Sequence, residues 1–108
     1  MQNHTKIYCD AFGYDTEDQT VFIPSEISED KAVDTHHIVN RSKGGLDIIE
    51  NLMALTRKEH QDFGDKTEYM VYLLKIHRRR LQIAGIDFDN RFFEFHIEKY
   101  TAKTELKQ

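Results

Sequence analysis

Asp34-Thr35-His36-His37-Ile38, with Gly44-Gly45 a few residues on, then Asn51-Leu52 and finally Leu55-Thr56-Arg57-Lys58-Glu59-His60, is the stretch on which the fold turns. Ala32 to Ile38 reads as a strand, and Val39 to Glu50, which holds both glycines, has the chemistry of a loop. Met53-Ala54-Leu55 then reads as a return strand and Thr56 to Phe63 as a short helix, with Gly64 placed to end it. Thr56 and Glu59 make a capping box, in which each side chain satisfies an orphan backbone N–H of the first turn. Two strands joined by a loop and followed by a helix can bring a residue of each to one point. His36 and His37 are neighbours, so on a regular strand they face opposite sides. Both can serve one site only where the strand ends and twists. A divalent ion bound by His36 and His60 keeps positions open for a phosphate oxygen and for water. His37 is then free to accept a proton, a task suited to imidazole at neutral pH.

In order and spacing these residues resemble the HNH nuclease family. Its pattern runs as an acidic residue, any residue, His, His, Ile, a loop with Gly-Gly, Asn-Leu, then Leu-Cys-x-x-Cys-His. The resemblance implies a ββα-metal (His-Me finger) core over about residues 32–65 and a metal-dependent endonuclease that hydrolyses phosphodiester bonds in DNA. By that resemblance His37 is the general base, and Asn51 ties the loop across and helps orient the base. His36 and His60 are the ligands of one divalent ion: Mg2+, Mn2+, Ni2+ or Zn2+. Where some relatives add another His after the distal one, this chain has Gly64, so Gln61, Asp65 or solvent is left to fill the place. The second reading, from a different class, is a catalytically silent module that keeps the same scaffold to bind nucleic acid or protein.

Many members of the family hold a structural zinc between two Cys-x-x-Cys pairs. Ser25-Glu26-Ile27-Ser28 stands where the first pair is expected and Thr56-Arg57-Lys58-Glu59 where the second is. All four thiolates are absent together, so no structural zinc is expected. A structural zinc contributes on the order of 10 kcal/mol in isolated zinc peptides. The capping box and the C-terminal helices must make up part of that.

The 108 residues suit one domain, and the single Cys9 rules out an internal disulfide. Seven Phe and five Tyr are enough for a core. The polar start Met1-Gln2-Asn3-His4-Thr5-Lys6 is not a signal peptide, and no apolar run approaches the roughly 20 residues that span a bilayer. The expectation is therefore cytoplasmic, with no membrane partner. A formal net charge of −4 weighs against a DNA-coating protein, because phosphate contacts come from Lys and Arg. The basic residues gather, however: Arg41 with Lys43, and Arg57 with Lys58, are the candidates for holding DNA, while Arg78-Arg79-Arg80 reads first as a solvated helix face.

Outside the motif, Lys6-Ile7-Tyr8 and Thr20-Val21-Phe22-Ile23 carry the β-branched and aromatic content of short strands, and an N-terminal β-hairpin is expected from them. From Thr67 to Ala84 the apolar residues Tyr69, Met70, Leu73, Ile76, Leu81 and Ala84 recur at helical spacing, and Gly85 closes that helix. Asp89 can cap another, whose Phe92, Phe93, Phe95 and Ile97 supply buried surface or a homodimer face before a charged tail from Lys103. The fold class is thus α+β: a ββα core flanked by an N-terminal hairpin and by a helical part over about 66–103. Beyond the motif window the chain looks like small phage or mobile-element proteins of that family, which leaves a phage protein partner open.

Overall fold

The computed structural model describes residues 2–106 and shows an α+β domain with a two-stranded antiparallel sheet and four helices among them. Strand β1 (Asp34–His37) pairs with β2 (Leu52–Leu55) so that Asp34 faces Leu55 and His37 faces Leu52. Two four-residue strands are marginal on their own, and packing decides their place. All of β2 is buried. Met53 and Leu55 turn into a core with Ile38, Val39, Leu73, Leu74, Leu81, Phe93 and Tyr100, while Leu52 and Ala54 turn the other way onto Tyr8. A strand covered on both faces reads as an unbroken apolar run, as Leu52-Met53-Ala54-Leu55 does. Observed β1 is shorter than the expected Ala32 to Ile38, and β2 begins one residue earlier than expected.

The expected N-terminal hairpin is not there. Asn3–Phe12 is a helix, α1, and Thr20 to Ile23 pairs with no strand; the nearest ladder contact is an isolated bridge between Pro24 and Lys31. Helical spacing wins over strand-like composition because Tyr8 stacks on Phe12 one turn later, with ring centroids 4.5 Å apart, and Lys6 pairs with Asp10 at 2.7 Å. Tertiary contact reinforces it: buried Tyr8 donates to Glu26 Oε2 at 2.7 Å. Glu26 also takes His77 Nδ1 at 2.8 Å, and His77 Nε2 donates to the Ile49 carbonyl at 2.6 Å. This buried chain of polar groups ties α1 to the Ser25–Glu29 turn and to the third helix. Each member is satisfied, as burial of polar groups demands.

The two segments that stand where many members of that family carry thiolate pairs are joined here by hydrogen bonds. Helix α2 (Arg57–Glu59) opens on Thr56, whose side chain accepts from Glu59 N at 3.1 Å while Glu59 Oε1 accepts from Thr56 N at 2.8 Å. The same Glu59 oxygen accepts from Ser25 Oγ, and Ser25 Oγ accepts from Ile27 N at 3.1 Å. Burial alone would push the Glu59 carboxyl up, but donors from Ser25, Ser28 and Thr56 outweigh it and hold the group below its ordinary value. A polar clasp thus fastens the Ser25–Glu29 turn to the start of α2.

Helices α3 (Thr67–Ala84) and α4 (Asn90–Leu106) pack on each other and share a core with the sheet. The α3 limits coincide with its apolar periodicity, and Gly85 ends it. Asp89 accepts from Arg91 N at 3.0 Å at the start of α4, and its own N–H donates to buried Glu50 at 2.7 Å, which anchors the turn between the helices. Phe93 is the inward residue of its cluster, whereas Phe95 is exposed. The charged tail expected from Lys103 is helical as far as Leu106, and its last two residues lie outside the described ones. Among the described residues no helix is long and apolar enough to cross a membrane.

Candidate metal and catalytic site

The adjacent histidines sit at the C-terminal end of β1, where the pairing with β2 stops. His36 is buried, and its ring lies 4.7 Å from that of His60. His60 comes from the far side of α2, where the helix changes pitch: His60–Gly64 winds as a single π-helical turn. Such widened turns store a re-aimed side chain at the expense of regular hydrogen bonds and cluster at functional sites. Gly64 makes this one possible. A Cβ on it would stand 2.4 Å from His60 Cδ2 and 3.3 Å from His36 Cε1, so only glycine lets the backbone close over both rings.

His36, His60 and Asp65 bring one ligand atom each to within 4.8 Å of one another. His36 Nε2 is buried and has no hydrogen-bond partner among the described residues, a costly state for a polar atom that a bound cation would relieve. Burial, and then the neighbouring His60, push the His36 pKa down to about 4, so the ring stays neutral and able to ligate in mildly acid solution. His60 is held through its other nitrogen: Nδ1 meets Asp34 Oδ2 at 3.1 Å, and Arg57 grips the same carboxylate at 2.9 and 3.1 Å. Carboxylate partners of this kind fix the tautomer and aim of a ligating imidazole, which leaves Nε2 of His60 for an ion. Burial would raise the Asp34 carboxyl, but Arg57 and His60 together keep it low and charged. The two imidazoles and the carboxylate therefore fit a divalent cation.

His37 points to the opposite side of the strand end. Its Nε2 lies 2.6 Å from Asp47 Oδ1, and Arg41 holds Asp47 by donating Nη2 to both oxygens at 2.9 and 2.8 Å. His37 Nδ1 has no bond partner among the described residues and is not a buried atom. His4, from α1, lies with its ring 4.7 Å from that of His37. Burial and the nearby His37 lower the His4 pKa. One cleft of about 340 Å3 takes in His4, His36, His37, Arg41, His60 and Asp65. Compared with protein-family models, with curated proteins and with solved structures, the chain gave no match in any of the three.

Asn51 is fully buried and does not touch either histidine. Its Oδ1 accepts from Val39 N at 2.7 Å and its Nδ2 donates to the carbonyls of Val39 and Leu46, each at 3.0 Å. It ties the loop across, one residue from Asp47. Gly45 is part of the same closure, because a Cβ there would stand 1.7 Å from the Val39 carbonyl oxygen. Of the four basic residues expected at DNA, Arg41 alone lines the cleft, and its guanidinium is on Asp47. Arg57 is paired with Asp34, Lys58 with Asp62 at 3.0 Å, and Lys43 reaches Thr67 Oγ1 at 3.5 Å.

Two residues of the site escaped the sequence reading, and a third, Asp34, was read as the acidic position of the motif but given no role. Asp34 carried a signal for one: it stands two positions before His36, on the same face of the strand. Asp47 and His4 carried none, since only the closed loop and the unexpected α1 bring them to His37.

Proposed function

We propose that this chain is a metal-dependent endonuclease of the HNH type that hydrolyses phosphodiester bonds in DNA, with a ββα-metal core built on β1, the loop, β2 and α2. The observation that carries the reading is a division of labour across one strand end. A three-ligand cluster with an orphaned His36 Nε2 lies on one side and a free His37 nitrogen on the other, within the same cleft. A divalent ion held by His36, His60 and Asp65 would supply Lewis acidity toward a phosphate oxygen. His37 Nδ1 accepts the proton of an attacking water. Asp34 and Arg57 keep His60 aimed, and Arg41, which holds Asp47 through Nη2, can meet a phosphate with Nη1 without releasing it.

Cleavage of supercoiled plasmid by chelated protein, with Mg2+, Mn2+, Ni2+ or Zn2+ added back, tests this beside His37→Ala. The expected result is nicking that depends on the ion and falls by roughly 100-fold or more in the variant. Equal nicking by His37→Ala would remove that residue from the chemistry. One observation favours the module that binds without cutting: Arg41, Arg57 and Lys58 all rest on carboxylates, and the net charge is −4. Under that reading no ion restores cleavage and His37→Ala leaves DNA or protein binding as it was.

A further inference from the structure

We propose that Asp47 is the positioning residue of the general base: it holds His37 as the tautomer protonated on Nε2 and so makes Nδ1 the nitrogen that takes the proton from water. The chemical role rests on the nuclease reading above, whereas the tautomer follows from geometry alone.

A carboxylate only accepts hydrogen bonds. The 2.6 Å contact between His37 Nε2 and Asp47 Oδ1 therefore requires a proton on Nε2; two lone pairs at that distance would repel. Arg41 Nε also lies 3.3 Å from the same nitrogen, but a protonated Nε2 has no lone pair to offer it. The stronger Arg41 bonds are the pair from Nη2 to both oxygens of Asp47, which turn the carboxylate toward the ring. The hydrogen bond from His37 and then those from Arg41 keep the Asp47 carboxyl below its ordinary value, hence charged.

The carboxylate is also held in place from behind. Leu46, the residue before it, gives its carbonyl to buried Asn51, and the Gly45 backbone closes against Val39. His4 shields one side of the His37 ring. His4, His37 and Asp47 come within 4.8 Å of one another and so resemble a second ligand cluster, but the Arg41 guanidinium already neutralises the carboxylate. A proton on Nε2 explains the contact without a second cation.

The experiment is long-range 1H–15N correlation on the metal-free full chain at pH 8, for the wild type, Asp47→Asn and Asp47→Glu. Nickel affinity by calorimetry and plasmid nicking accompany it. The wild type should show His37 protonated on Nε2 alone. Asp47→Asn should give mixed tautomers and a kcat on the order of 100-fold lower, with KM and nickel affinity unchanged, and Asp47→Glu should restore part of both signals. A wild-type His37 protonated on Nδ1 would overturn the proposal. So would an Asp47→Asn protein with one tautomer and full kcat. If the wild type cuts nothing with any ion, the nuclease reading fails while the tautomer still decides what Asp47 does.

Discussion

His36 sits buried with one ring nitrogen, Nε2, unmatched among the described residues. Its pKa is lowered from 6.5 to about 4 by burial first and by His60 second. Because the folded-state value is the depressed one, the unfolded chain binds the extra proton between these limits. Stability is thus fully present above about pH 6.5 and is lost as pH falls toward 4. The shift corresponds to about 3 kcal/mol. Urea unfolding of the metal-free protein across that window should show this fall, and His36→Leu should flatten it; equal slopes in both proteins would place the acid sensitivity elsewhere. The motif made His36 and His60 visible as a pair, yet nothing in it showed that one ring is sealed and the other carries Asp34 and Arg57 behind it. Burial is a property of what surrounds a residue, and those surroundings come from helices far along the chain.

At the level of elements, the legible ones were those with strong local signals. The α3 periodicity and the Thr56–Glu59 capping box are where the sequence put them, and the return strand begins one residue early. The N-terminal hairpin failed because short runs such as Lys6-Ile7-Tyr8 suit strand or helix equally, and the choice fell to packing of Tyr8 on Phe12 and on Glu26. The link between the Ser25–Glu29 turn and α2 was not readable from the sequence. Ser25 and Glu59 are distant in the chain and meet only because the Ser25–Glu29 turn folds onto the start of α2. Ser25→Ala removes a donor to a buried carboxylate and the acceptor of Ile27 N, so it should cost about 1–3 kcal/mol in denaturant unfolding. A midpoint equal to wild type would mean that the clasp carries little of the fold.

For the whole molecule, the proposed binding of DNA must be reconciled with a net charge of −4. The cationic side chains near the site are already committed, Arg57 to Asp34, Lys58 to Asp62 and Arg41 to Asp47. With Lys43 and the remaining Nη1 of Arg41 as the two groups that can meet phosphate while these pairs hold, the slope of log K against log salt for duplex DNA should be shallow, about −2. Fluorescence anisotropy over a salt series measures it, and a slope steeper than about −4 would show that Arg57 and Lys58 leave their carboxylates for DNA. What the sequence determined by itself were the local matters. These were α3 and its limits, the capped start of α2, the two strands with a loop between them, and two histidines spaced to meet a third. Periodicity, capping and turn chemistry act over a few residues, and a few residues carry them. The tertiary structure alone decided that His4, on α1, stands beside His37. It also decided that Asp47 and Arg41 close on His37 Nε2, that Asp34 supports His60, and that Ser25 bonds to Glu59. Those contacts join residues distant in sequence, and their energy exists only once the core under β2, α3 and α4 has brought the segments together.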